Sequence, residues 1–349
     1  MVTIFDPIKV GDVQLANRII MAPLTRCRAG DGRVPSTLMA EYYAQRASAG
    51  LIITEATSVA PMGVGYANTP GIWSQQQVNG WRMVTDAVHA AGGKVFLQLW
   101  HVGRISDPSF LEGNQPVAPS AIAASGHVSL LRPQRPYSVP RALSVEEIAA
   151  VVESFRSAAQ NAQAAGFDGV ELHGANGYLI DQFLQDNANQ RQDRYGGPVE
   201  NRARLLLEVT DALISVWGAG RVGVHLAPRG DIYDMGDSRR DETFVYVARE
   251  LGKRRIAFIC AREYEANDSL NQVLKEAFGG IYIANERFDK AQANAWLQAS
   301  KADAVAFGIP FIANPDLPAR LAADAPLNEP RPETFYASGA AGYTDYPQI

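Results

Sequence analysis

The 349-residue chain predicts a single (β/α)8 barrel, and three observations carry that prediction. Short apolar runs rich in Val and Ile recur along the chain, each followed by a longer run with helical spacing. Eight such strand-then-helix units can be counted. The apolar runs are continuous rather than alternating, as a parallel sheet buried on both faces requires. A doubly wound open sheet competes with the barrel, but no Gly-x-Gly-x-x-Gly turn follows the first strand. Barrels commonly exceed about 250 residues as one unit, so 1–349 is expected to be one domain.

The units follow in order. Ile19-Ile-Met-Ala-Pro is the first strand, and Ser36 caps a helix reaching about Ala49. Leu51-Ile-Ile-Thr-Glu-Ala precedes a helix from Gln75 to Ala91, and Lys94-Val-Phe-Leu-Gln-Leu-Trp is the third strand. The next helix starts at Ser144, where Glu147 completes a capping box, and Gly166 stops it. Asp168-Gly-Val-Glu-Leu-His is the fourth strand, followed by a helix over Glu200 to Val216. Arg221 to Leu226, Arg255 to Cys260, Gly280 to Ala284 and Ala304 to Gly308 complete the strands, with helices near Asp241–Leu251, Leu270–Ala277, Asp289–Ala299 and Pro315–Leu321. Phe5–Ala16 reads as a hairpin plugging the barrel bottom. Gly103–Arg141 is too long for an idle connection and follows a strand, so it should wall the catalytic face.

Composition excludes several classes of function. The net charge is −5 and no basic run appears, which argues against nucleic acid and against an anionic membrane surface. The opening Met1-Val-Thr-Ile-Phe-Asp-Pro has no secretory pattern, and no stretch approaches the roughly 18 apolar residues of a membrane span. Cys27 and Cys260 lie far apart and read as two reduced thiols, so a cytoplasmic protein is expected.

Barrel active sites are built at the C-terminal strand ends. Those ends supply Pro23-Leu24-Thr25, Glu55-Ala56, Gln98 to His101, His173-Gly-Ala-Asn176-Gly-Tyr178, His225, Cys260, Ala284-Asn285 and Gly308. The five histidines show no zinc spacing, so no metal is expected. No Ser-His-acid set and no strand-end lysine occurs either. The lining is polar but mostly uncharged, which suits hydrogen-bonding a flat heterocycle that carries the chemistry itself.

Several motifs, in order along nearly the whole chain, carry a resemblance. They are Asn17-Arg-Ile-Ile-Met-Ala-Pro-Leu-Thr-Arg26, Tyr66-Ala-Asn-Thr-Pro-Gly-Ile-Trp73, Gln98-Leu-Trp-His101 and Gly169-Val-Glu-Leu-His-Gly-Ala-Asn-Gly-Tyr-Leu179. Asn187-x-x-Gln-Arg-x-Asp-x-Tyr-Gly-Gly197, Glu200-Asn-Arg202, Ala306-Phe-Gly308 and Gly342-Tyr-Thr-Asp-Tyr-Pro347 continue the series. Together they resemble the old yellow enzyme family, most closely its bacterial xenobiotic and nitrate-ester reductases.

The resemblance implies a bound FMN, NADPH or NADH as reductant, and small-molecule acceptors: enones, nitro compounds and nitrate esters. It implies that Pro23, Leu24, Thr25, Ala56 and Gln98 contact the flavin ring. Ala284, Asn285, Arg287, Gly308 and Ile309 would surround its phosphate. His173 and Asn176 would clamp a substrate oxygen, Tyr178 would donate a proton, and Tyr66, Trp100 and Tyr343 would be aromatic walls. A monomer is expected. Two departures stand out. His225 is expected to contact the flavin from the fifth-strand end, where the family usually has an arginine, with Arg229, four residues on, the candidate to reach back. Ile309 replaces a second arginine after Gly308, with Arg287 as the candidate substitute. A barrel that has lost flavin and serves as a binding protein is the alternative these losses motivate; a flavin-free lyase or hydrolase is another, and it would need a strand-end lysine or a carboxylate–histidine cluster that the sequence does not show.

Overall fold

The computed structural model describes residues 1–349. Eight parallel strands close into a barrel: Ile19–Met21, Leu51–Ile53, Val95–Trp100, Gly169–Gly174, Val222–Leu226, Phe258–Arg262, Tyr282–Asn285 and Ala304–Phe307. Each pairs with its neighbours in chain order, and the eighth returns to the first through Val305↔Ile19. The open-sheet alternative therefore falls. Side chains alternate across each strand, so one set fills the barrel and the other meets the helices. Ile20, Leu51, Ile53, Phe96, Phe258 and Ile283 share one apolar cluster at the barrel floor, while Val170, Leu172, Val224 and Val305 join the larger cluster under the helices.

The hairpin forms from Ile8–Val10 and Val13–Leu15, and its four buried apolar side chains join the floor cluster. Its turn sits so close to Gly220 that a Cβ on Gly11, whose φ is +55°, would lie 2.1 Å from the Gly220 carbonyl. Only glycine fits that contact.

Helix starts follow the capping chemistry. Ser74 and Ser144 each close a capping box, with Gln77 and Glu147. Ser36 caps its helix, which ends at Ala44 rather than near Ala49. The helix expected over Glu200–Val216 divides into Val199–Arg202 and Arg204–Trp217. A short helix, Leu179–Leu184, was not expected and follows directly on the fourth-strand loop.

One boundary matters for function. The sixth strand was expected over Arg255–Cys260, but it runs Phe258–Arg262. Arg255 adopts a left-handed φ of 53° as the C-cap of the preceding helix, so the strand starts later and ends at an arginine. The long insertion packs over the C-terminal face, where Arg104 donates to the Tyr233 carbonyl and Ser125 donates to the Asp234 carboxylate. No helix is long and apolar enough to cross a membrane.

Candidate active site

A cavity of about 600 Å³ opens at the C-terminal strand ends. Pro23, Leu24 and Thr25 reach it from the first strand, Ala56 from the second, and Gln98 and Trp100 from the third. His173, Asn176 and Tyr178 enter from the fourth, and His225 from the fifth. Asn285 ends the seventh strand and Arg287 follows it, and Gly308 and Ile309 follow the eighth.

Four expectations are corrected. Tyr343 is fully buried away from the cavity, stacked 4.0 Å from Tyr42 and faced by Arg26 and Arg28. It anchors the C-terminal segment, and Tyr336 supplies the aromatic edge of the cavity instead. Ala284 faces the helix layer, because alternation along the strand aims its neighbours Ile283 and Asn285 inward. Arg229 does not reach back: it pairs with Asp268 at 2.9 Å and lies over the Tyr264 ring. Tyr66 stands behind the cavity wall rather than in it, stacked on Trp100 at 5.4 Å with its hydroxyl 2.8 Å from that of Tyr178.

The cation nearest the expected clamp is one the sequence reading passed over. Arg262, ending the sixth strand, donates from Nη1 to Asn176 Oδ1 at 2.9 Å and pairs with Glu286 at 3.3 Å. A guanidinium only donates, so it pairs with the carbonyl end of the Asn176 amide, which accepts. The Nδ2 donor is thereby turned away from Arg262. The available signal was the Cys-Ala-Arg run at a strand end, hidden by placing that strand too early.

The fourth-strand loop is held from behind. Asn176 and Gly177 both have positive φ, 59° and 77°. Asp181 accepts from the Gly177 N–H at 2.9 Å, and Gln182 Nε2 donates to the carbonyls of Gly177 and Val102. A Cβ on Gly177 would meet Met235 and Tyr233 at 3.0 and 3.1 Å, so the loop also needs that glycine for clearance.

Burial sets the protonation states. His173 is held well below the ordinary histidine range by desolvation, with the nearby His225 and Arg262 adding to it. It is therefore a neutral imidazole with one N–H to offer. Burial also pushes the Tyr178 phenol well above its usual range, so it keeps its proton at neutral pH. Asp181 is raised to about 7 by burial, against the hydrogen bonds it accepts.

Below the cavity, strand register brings Glu171, His225 and Cys260 together, with their donor atoms within 4.8 Å of one another. Gln98 Nε2 donates to Glu171 at 2.7 Å. Burial keeps the Cys260 thiol protonated, far above its ordinary range. Both ring nitrogens of His225, Nδ1 of His173 and the Trp100 indole N–H are buried without a hydrogen-bond partner. Buried polar atoms are normally satisfied. Orphans around one cavity fit a polar heterocycle such as a flavin ring, and Arg287 at the rim fits its phosphate.

Comparison with known proteins agrees with this geometry. Residues 3–328 match the model of the NADH:flavin oxidoreductase / NADH oxidase family. A probable flavin mononucleotide-dependent alkene reductase of Leishmania infantum is 46% identical over 98% of this chain and 96% of its own. The 12-oxophytodienoate reductase 1 of Oryza sativa subsp. japonica is 42% identical over 99% and 93%. Among solved structures, the old yellow enzyme homologue of Zymomonas mobilis superposes with a TM-score of 0.97 at 45% identity, covering 100% of both chains. Morphinone reductase in complex with tetrahydroNAD gives 0.96 at 47%, covering 100% of this chain and 98% of that one. A closed parallel barrel, a cavity ringed by unpartnered polar groups and a family match along most of its length together show that this chain is a flavin-dependent, nicotinamide-linked oxidoreductase, a member of the NADH:flavin oxidoreductase / NADH oxidase family and of the old yellow enzymes.

Proposed function

We propose that the chain is an FMN-dependent reductase of activated alkenes such as enones, and of nitro compounds and nitrate esters, with NADPH or NADH as reductant. One observation carries this reading: His173, Asn176 and Tyr178 converge on the same cavity, with a neutral imidazole, an oriented amide and a protonated phenol. The relative named as an alkene reductase supports the substrate class. Bound FMN supplies the hydride chemistry that no side chain can.

The residues supply the rest. His173 and Asn176 each present an N–H to a substrate oxygen and stabilise the negative charge that develops there, with one such donor contributing about 3–4 kcal/mol. Arg262 fixes the amide of Asn176 and adds positive charge behind it. Tyr178, above the usual phenol range, is an acid rather than a base at neutral pH, and it protonates the α-carbon. Pro23, Leu24, Thr25, Ala56 and Gln98 border the space for the ring, and Trp100 forms an aromatic wall. Asn285, Arg287, Gly308 and Ile309 edge the phosphate end, where backbone N–H groups of the last two loops do most of the holding.

We infer also that residues 1–349 act as one FMN-binding unit, as a monomer in the cytoplasm. Two buried free cysteines support a reducing compartment, and three of the large exposed apolar residues, Ile232, Ile309 and Tyr336, line the active cavity rather than a separate face. Purified protein should be yellow, bleach anaerobically with NADPH or NADH, and regain colour on adding 2-cyclohexenone. A colourless preparation that FMN does not reconstitute would overturn the proposal in favour of a flavin-free barrel.

A further inference from the structure

We propose that Tyr178 is re-protonated through a relay of part-buried hydroxyls, Tyr66 then Tyr233, that ends beside Ser129 at a second, solvent-facing cavity. The proposal rests on the reading of Tyr178 as proton donor. Tyr178 Oη lies 2.8 Å from Tyr66 Oη, and Tyr66 Oη lies 3.1 Å from Tyr233 Oη. Ser129 Oγ is 3.4 Å from Tyr233 Oη, the long outer link of the chain. A second cavity of about 440 Å³ borders all four residues, and its mouth carries the exposed His127, Leu130 and Arg132. The two cavities meet at Thr25, Tyr178 and Tyr336, while Tyr66, Tyr233 and Ser129 border the second alone.

Hydroxyl arithmetic fixes the direction of the chain. Each hydroxyl has one hydrogen and can accept through its lone pairs. Tyr178 can aim its hydrogen at a substrate only if it accepts from Tyr66. Tyr66, having donated inward, must then accept from Tyr233. The network thus points toward the active cavity whenever Tyr178 is poised to donate.

The relay answers a need the burial creates. A phenolate at position 178 would sit in a desolvated site that holds the phenol well above its ordinary range. Tyr178 cannot release its proton and wait. As the α-carbon forms its C–H bond, the Tyr178 O–H bond breaks, the Tyr66 proton moves to Tyr178 oxygen, and the Tyr233 proton moves to Tyr66 oxygen. A proton from bulk acid, arriving by way of Ser129, restores Tyr233. The balance is one hydride from the reduced flavin and one solvent proton for each alkene reduced.

The backbone shows that Tyr233 is placed rather than incidental. Tyr233 and Asp234 are consecutive non-glycine residues at φ of 59°. Such outliers persist only where the surroundings over-determine them. Here Arg104 Nη2 holds the Tyr233 carbonyl at 2.8 Å, and Ser125 N and Oγ each donate to the Asp234 carboxylate at 2.6 Å. Both clamps come from the long insertion.

The test is anaerobic reoxidation of the reduced holoenzyme in H2O/D2O mixtures, by 2-cyclohexenone and by ferricyanide, which needs no proton on carbon. Tyr233→Phe should lower the ratio of enone to ferricyanide rates roughly tenfold and turn a curved proton inventory linear. Tyr66→Phe, which cuts the adjacent link, reads the same quantity should the first variant not fold. Ratios and curvature unchanged in both variants, with Tyr178→Phe slow toward enone, overturn the relay alone. An unaltered enone rate in Tyr178→Phe overturns the donor reading itself.

Discussion

Arg262 Nη1 donates to Asn176 Oδ1 at 2.9 Å, joining the end of the sixth strand to the loop after the fourth. The link crosses the fifth strand, whose His225 lies between them. Positive charge that the fifth strand does not carry is therefore delivered from the sixth.

Removing that charge should weaken the clamp. Arg262→Leu frees the Asn176 amide to rotate and deletes a hydrogen bond to a charged group, about 1.5–3 kcal/mol. The expected result is a tenfold or greater rise in the Kd of a phenolic ligand and a comparable fall in kcat/KM for enones. Titration of the flavin band checks the first and steady-state kinetics the second. Unchanged affinity would remove Arg262 from the site.

Tyr178→Phe should separate the substrate classes. Enone reduction needs a proton on carbon and should slow by roughly 10²-fold or more, the usual contribution of a positioned acid. Nitrate-ester reduction should change far less. Rates of anaerobic turnover on both substrates give the answer, and equal losses would count against a proton-donor role.

Cofactor affinity should respond to the rim. Arg287→Ala removes the cation after the seventh strand and should raise the FMN Kd roughly tenfold, consistent with one charge-assisted contact to phosphate. Ile309 is 51% exposed at the same edge, so Ile309→Arg has room for a longer side chain. It should tighten FMN binding by a similar factor. Reconstitution of stripped protein, followed by flavin fluorescence, measures both.

Asp181 should make stability depend on pH with a definite sign. Its carboxyl is raised by burial from an ordinary 3.8 to about 7, so the folded state binds a proton that the unfolded chain has already lost. Its contribution is full below about pH 4 and is lost as pH rises through 7. Asp181→Asn does not titrate. Its stability relative to the parent should therefore increase between pH 5 and pH 8.5, by on the order of 2–4 kcal/mol. Thermal melts at the two pH values decide it, and a difference independent of pH would refute the assignment.

Local order was written in the chain. Continuous apolar runs, capping serines at 36, 74 and 144, and the spacing of eight units are properties of short windows, where periodicity and capping act without distant partners. The strand-end rule then located His173, Asn176, Tyr178, Gln98 and His225 at one cavity. Within a window, however, nothing distinguishes which tyrosine points where. Tyr343 is drawn into the core by Tyr42 and Arg26, which lie about 300 positions earlier, whereas Tyr336 stays at the rim.

What tertiary structure alone decided are the relationships set by barrel register and loop packing. A two-residue shift in the sixth strand moved its end from Cys260 to Arg262, and register between adjacent strands placed Glu171, His225 and Cys260 in one buried group. The row of tyrosine hydroxyls joins three loops and the long insertion. The sequence by itself determined the fold and the chemical inventory, because those follow from neighbours along the chain. Which cation reaches Asn176 and which hydroxyls line up behind Tyr178 depend on side chains brought together from strands far apart in sequence, and only closure of the barrel sets those distances.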